Sequence, residues 1–202
     1  AYPTVSGPSG LVPVKLVSGV PFVGVTRQYS IASGYNTNIF NGDAVQLVTG
    51  GTVERDTADA AMTPIGVFLG CSYTDPTLGY KVFSQYYPAS TVASDIEAYV
   101  ADGTDILFKA VVLSSAGGAA AVVGDLAITD IGANVAMITP ATVGNTTTGN
   151  STIGISDTSA TTNTLPLRIV SLVEETKNTS GGFTEALVKW NAGHQFNNTT
   201  GV

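Results

Sequence analysis

The chain has 202 residues, of which 44% are apolar and only 11% charged, with 15 acidic against 8 basic side chains and a net charge of −7. A chain this long buries about 70% of the surface its unfolded form exposes, so one substantial core, or two small ones, forms without a cofactor or covalent staple. The basic residues are scattered from Lys15 to Lys189, which excludes a nucleic-acid face and attraction to an anionic membrane, and the single cysteine, Cys71, excludes a disulfide framework or multi-cysteine metal site.

Residues 1–26 carry Pro3, Pro8, Pro13 and Pro21 and four glycines among short apolar steps such as VPVKLV and PFVGV. Proline cannot donate to a central ladder, so this stretch reads as an extended N-terminal arm or sheet edge, set off from a β-rich domain over 27–202. No stretch reaches the roughly 18 apolar residues of a membrane span. AYPTVSGPSG also lacks the basic start and apolar middle of a signal peptide, and the chain is expected to be soluble and mature with its initiating Met removed.

From Arg27 onward, short Val/Ile/Thr/Tyr-rich runs recur between Gly, Asn and Asp signals: RQYSIA, DAVQLVT, IGVFLGCSY, YKVFSQYY, DILFKAVVL, DLAITD, VAMIT, LRIVSLVEE and FTEALVKW. This is the signature of an all-β barrel or sandwich. In FNGDAVQLVTGGTV, Gly42 permits a turn, Asp43 caps it by accepting backbone N–H bonds, and Val45 and Leu47 share a face. The similar VGDLAITDIGANV suggests a second hairpin, with duplication of a small β-unit as the alternative to chance. Cys71, in GVFLGCSY, reads as a buried core thiol with no basic neighbour to activate it.

The aromatic run GYKVFSQYYPAS places Val82, Ser84 and Tyr86 on one face of a strand, and Lys81, Phe83, Gln85 and Tyr87 on the other. One face is expected in the core and the other at an interface, with Tyr86 and Tyr87 as anchors. One short helix is predicted over STVASDIEAYVAD, where Val92, Ile96, Tyr99 and Val100 fall at helical spacing and Asp95 and Glu97 face solvent. Residues 141–164, rich in Thr, Ser, Asn and Gly, read as a long polar loop carrying at most a short hairpin at STIGIS. Asn-x-Ser/Thr triplets begin at Asn145, Asn150, Asn178, Asn197 and Asn198, as such composition generates by chance. The strand LRIVSLV is apolar on both faces at its start and is expected to be covered on both.

Catalytic patterns are missing. His194, the only histidine, sits in WNAGHQFNN without a nucleophile elbow anywhere in the chain, and is expected to face solvent or hold a hydrogen bond. The carboxylate pairs Asp56/Asp59, Asp95/Glu97, Asp102/Asp105 and Glu174/Glu175 lack an aromatic cleft for glycoside hydrolysis and the alternating spacing of a calcium loop, and ADGTDI is expected to cap the strand that follows. No phosphate loop is present. No catalytic, cofactor-binding or metal-binding residues are assigned.

Four segments together resemble a known group: GLVPVKLVSGVPFVGVTRQYSIASGYNTNIFNGDAVQL, TPIGVFLGCSYTDPTLGYKVFSQYYPA, SDIEAYVADGTDILF, and LPLRIVSLVEETKN with EALVKWNAGHQFNNTTGV. Their order is similar to that of structural proteins of tailed bacteriophages, with the GD-strand-GVFLG and LVKWN-x-x-H elements as the most specific parts. The resemblance implies a head decoration (cement) protein, a non-enzyme with a β-barrel core. Such a protein binds the major capsid protein on the outer virion surface, commonly as a homotrimer or other homo-oligomer, after assembly in the bacterial cytoplasm. It further implies that the arm anchors on neighbours, with Leu11, Val12, Val14, Leu16 and Phe22 joining Tyr86 and Tyr87 as interface candidates. The alternatives are another virion component, such as a tail-associated protein, and a carbohydrate-binding or adhesive module suggested by the Tyr-rich strand and polar loops.

Overall fold

The computed structural model describes residues 7–114, 122–176, 183–198 and 201–202. The first six residues of the arm and the triplet at Asn178 lie outside that set. The described residues form twelve strands and two single-turn 3₁₀ segments, with no α-helix among them.

One sheet closes on itself. It comprises β1 (Val12–Leu16), β8 (Ile106–Leu113), β9 (Asn134–Ile138), β10 (Gly154–Ala160), β11 (Leu167–Leu172) and β12 (Glu185–Trp190). The closure follows from the length of β8. One of its edges pairs with β12 over Phe108–Val111, while the other takes β1 antiparallel over Ile106–Lys109 and then β10 in parallel at Val112 and Leu113. Strands β8, β10, β9, β11 and β12 thus form a five-stranded barrel that hides its own edges, with β1 added outside the ring. Pro13 is tolerated there because β1 is a border strand with a register shift between Pro13 and Lys15. The interior is filled by Phe108, Val112, Met137, Ile155, Ile169 and Val188, with Trp190 set edge-on to Phe108 at 5.4 Å.

A second sheet runs β2 (Arg27–Ser30), β7 (Glu97–Ala101), β5 (Gly66–Thr74), β3 (Ala44–Leu47), β4 (Val53–Arg55), with β6 (Lys81–Ser84) also on β5. Its strands alternate between two cores. Ala44, Val67 and Ala101 belong to the barrel core, whereas Val45, Phe68, Ala98 and Val100 belong to a second core with Ile39, Ile65, Cys71 and Tyr87. The middle of the sheet, at β5, β7 and the start of β3, is therefore buried on both faces, while β2 and β6 stay exposed, and Cys71 is a core thiol whose pKa burial pushes up to about 12.

Five expectations change. STVASDIEAYVAD forms no helix: its second half is β7, between β2 and β5, and Ala98 and Val100 point into the second core. Asp95 instead accepts bonds from Thr74 N–H and Oγ1–H at 2.9 and 2.8 Å, and Glu97 pairs with Lys81 at 3.4 Å. DLAITD is no strand, because Ile128–Asp130 make a 3₁₀ turn; no second hairpin follows, and the duplication fails. The polar stretch 141–164 is not all loop, because Ile153, Ile155 and Ser156 are buried and β10 forms part of the barrel wall. Finally, β11 is covered on one side only: Arg168 and Val170 are exposed, and the register shift between Ile169 and Ser171 returns Leu172 to the interior.

Candidate interaction surface

The arm is anchored at its start and apolar at its tip. Leu11 is fully buried in the barrel core, and its N–H donates to the Gly42 carbonyl at 2.9 Å. Beyond it β1 pairs with β8, then the chain turns at Gly19 (φ +91°) and comes back. Leu16 N–H donates to Val20 O at 2.8 Å and Phe22 N–H to Val14 O at 3.0 Å, which makes residues 12–22 a hairpin. Half-buried Leu16 and Phe22 pack on the barrel core and hold this hairpin down. The side chains left over are exposed: Val14 is 40% accessible, Val17 and Val20 53%, Val23 79% and Val25 67%. Isolated exposed valines are ordinary, but five fall within twelve residues here, and Val20, Val23 and Val25 line one groove together.

Between the returning strand and the 102–106 turn lies a groove of about 190 Å³, walled by Leu16, Phe22, Val23 and Ile106 with Asp105 at its rim. Asp102 also lines it but is already engaged, accepting a bond from Tyr29 OH at 2.7 Å and pairing with Arg27 Nε at 3.1 Å. Burial, reinforced by that carboxylate, pushes the Tyr29 phenol up to about 12, so it stays a donor throughout the neutral range. ADGTDI thus provides a turn before β8, but Asp102 is spent on Tyr29 and Arg27 beside β7 rather than on capping the strand that follows. Among the described residues no three His, Cys, Asp or Glu side chains gather as a metal site.

The seven interface candidates separate. Val12, Val14, Leu16 and Phe22 lie together on the hairpin; Leu11 is interior and offers no surface. Tyr87 is likewise fully buried, its hydroxyl donating to Tyr35 O at 3.1 Å, and Tyr86 is half-buried with its ring stacked on Phe40 at 5.5 Å. Alternation had put Tyr87 on the face of Phe83. However, β6 ends at Ser84, whose Oγ accepts from Tyr86 N–H at 3.3 Å and donates to Tyr86 O at 2.5 Å, and the resulting bend swings Tyr87 inward. The exposed aromatics of this region are Tyr80 and Phe83. Sequence reading also passed over Val17, Val20, Val23 and Val25, although their close spacing along an arm already taken as extended was visible.

His194 departs from the solvent-facing alternative. It is fully buried between Trp190 (6.0 Å) and Phe196 (5.7 Å), with Arg27 lying over the Phe196 ring at 5.2 Å. Its Nδ1 accepts from Phe196 N–H at 3.3 Å, which leaves the ring proton on Nε2, and Nε2 has no partner of hydrogen-bond geometry. Burial lowers its pKa from 6.5, against opposing pulls from Asp102 and the Ile65 backbone. The described contacts of this ring are Trp190, the Phe196 ring and the Phe196 N–H. No helix among the described residues is long and apolar enough to cross a membrane.

Compared with protein-family models, with curated proteins and with solved structures, the chain matches none of them.

Proposed function

We propose that this chain is a capsid decoration protein. It binds the major capsid protein on the outer surface of a tailed-phage head and reinforces the shell through non-covalent contacts, without catalysing a reaction. The observation that supports this reading best is the exposed valine hairpin on a closed barrel, in a chain with only 11% charged residues. Burying a fully exposed valine contributes about 1.5 kcal/mol or more, so engagement of the five-valine surface supplies several kcal/mol toward the cost of association. A partner repeated over a shell multiplies that modest contact, and a homotrimer would place three such hairpins on one footprint.

Deletion of the arm is a poor test, because it removes Leu11 from the core and β1 from β8. The double substitution Val20→Asp/Val23→Asp alters the exposed surface alone. In co-sedimentation with empty expanded heads of the phage encoding it, the unaltered protein is expected to pellet with the heads and the variant to lose at least about tenfold in occupancy. A wild-type protein that stays in the supernatant overturns the function; full occupancy by the variant overturns the role of the hairpin.

A further inference from the structure

A second surface has the opposite chemistry. Between the 36–40 turn, β4 and the 141–146 loop lies an open cavity of about 360 Å³, within the size range of small-ligand sites. Asn36, Thr37, Asn38, Phe40, Arg55 and Thr146 contribute to its wall. Among the described residues Arg27, Lys81 and Lys109 each pair with a carboxylate, whereas Arg55, like Lys15, Arg168 and Lys189, has none within salt-bridge distance; of these four only Arg55 lines the cavity. Its Nη1 donates to Asn38 O at 3.3 Å, and its buried Nε has no partner. That nitrogen is closed to solvent, but a guanidinium carries five N–H donors and only one bond from this one is made among the described residues, so donors on its Nη atoms remain for an acceptor brought from outside.

The surroundings narrow the ligand. Asn38 Oδ1 is taken by Ala89 N–H at 2.7 Å, which leaves its amide NH₂ uncommitted among the described residues. Thr37 Oγ1 donates to Asn36 Oδ1 at 3.3 Å, and Thr146 has an exposed hydroxyl. Amides and hydroxyls around one planar cation match a ligand with many hydroxyls and one carboxylate, because guanidinium takes a carboxylate through two parallel bonds. A bare anion would leave the amide and hydroxyl rim unused. The Asp43 carboxylate, which feels the Arg55 charge, does not compete, because it is buried and held by Phe40 N–H and Ser151 OH.

We propose that the Arg55 cavity binds an acidic sugar, a uronic or nonulosonic acid residue of a surface glycan, with Arg55 holding the carboxylate and Asn38, Thr37 and Thr146 holding hydroxyls. This site is separate from the valine hairpin, and its test does not depend on head binding. The isotopically labelled full chain is titrated with D-galacturonate, N-acetylneuraminate, D-galactose and inorganic phosphate, with amide shifts read at Asn38, Arg55 and Thr146. At least one acidic sugar is expected to saturate these shifts, with galactose and phosphate weaker by about tenfold or more. Arg55→Met should abolish saturation, Arg55→Lys should retain part of it, and Thr146→Val, at an exposed position, should weaken the sugar and leave phosphate unchanged. The proposal is overturned if neither acidic sugar saturates, if phosphate matches the sugar, or if a folded Arg55→Met binds as before. Should Arg55→Met fail to fold, undiminished sugar binding by Thr146→Val overturns it equally.

Discussion

Two polar junctions, one buried and one half-buried, tie distant parts of this chain together, and they are built differently. At the first, Asp43 accepts from Phe40 N–H at 2.8 Å and from Ser151 Oγ–H at 2.6 Å, joining the 40–43 turn to the approach of β10. Asn41 and Asn150 add a bridge beside it. At the second, the C-terminal segment is fastened over β3 by Gln195, whose side chain accepts from Leu47 N–H at 2.7 Å and donates to Leu47 O at 2.9 Å, while the neighbouring His194 keeps an unpartnered Nε2. In the first junction the buried titratable group makes the tie. In the second an uncharged amide makes it, and the titratable group holds only the Phe196 N–H two residues on. The difference teaches that burial alone does not identify the residue carrying a contact; the donor and acceptor count does.

Both junctions admit a backbone only if a glycine is present, so the largest effects should come there. Gly42 (φ +97°) lies where an added Cβ would stand 2.7 Å from Ser9 O, and Gly193 (φ +79°) lies where it would run into Met62 O. Gly42→Ala and Gly193→Ala should each cost roughly 3 kcal/mol or more, combining left-handed strain with overpacking against backbone. Urea unfolding reads this directly, and a midpoint within error of wild type for either variant would mean the junction yields.

Asp43 should come next. Asp43→Ala strands a buried N–H and a buried hydroxyl, and is expected to cost about 3 kcal/mol. Asp43→Asn keeps an acceptor and should behave differently with pH. Burial raises the Asp43 pKa from 3.8 to about 6, against Ser151, Phe40 and Arg55, so the folded state binds more protons than the unfolded state in between. Its stabilising contribution is therefore complete below pH 3.8 and is lost as pH rises through about 6, by roughly 3 kcal/mol. The stability difference between wild type and Asp43→Asn should shift toward the Asn variant over that window. A flat difference would show that the carboxylate is not held as described.

How much of this the sequence disclosed depends on whether the partner was local. The turn role of Gly42 and Asp43 was legible, because the capped N–H of Phe40 is three residues away; Ser151, 108 residues on, was not. The long apolar runs of β5 and β8 were legible as strands, since a strand covered on both faces needs no alternation. β7 was misread as helix because Ile96, Tyr99 and Val100 satisfy a helical period while EAYVA satisfies a period of two equally well, and only pairing with β2 and β5 decides. In β10 the Thr/Ser composition hid the strand, although Ile153 and Ile155 stand two apart. The valine surface was half-legible: the arm was recognised, but burial of Leu11 against exposure of Val23 depends on how β1 meets β8.

Smaller effects separate Gln195 from His194. Gln195→Ala removes two bonds to the Leu47 backbone and should cost about 1–2 kcal/mol at every pH, since no charge changes. His194 should show itself only in acid. Its folded pKa lies below 6.5, so between the two values the unfolded chain binds more protons and stability falls as pH drops below 6.5. Protonation of Nδ1 also breaks the bond from Phe196 N–H and sets a cation in the same aromatic cluster as Arg27, with Asp102 as the opposing anion. His194→Gln should therefore be somewhat less stable than wild type at pH 7.5, from poorer packing against Trp190, and should close that gap as pH falls. Hydrogen exchange at Leu47 and Phe196 locates the effect: accelerated exchange at both amides below pH 6 in wild type, absent in His194→Gln, is the expected pattern. Equal acid sensitivity in the two proteins would assign the acid response elsewhere and leave the second junction resting on Gln195 alone.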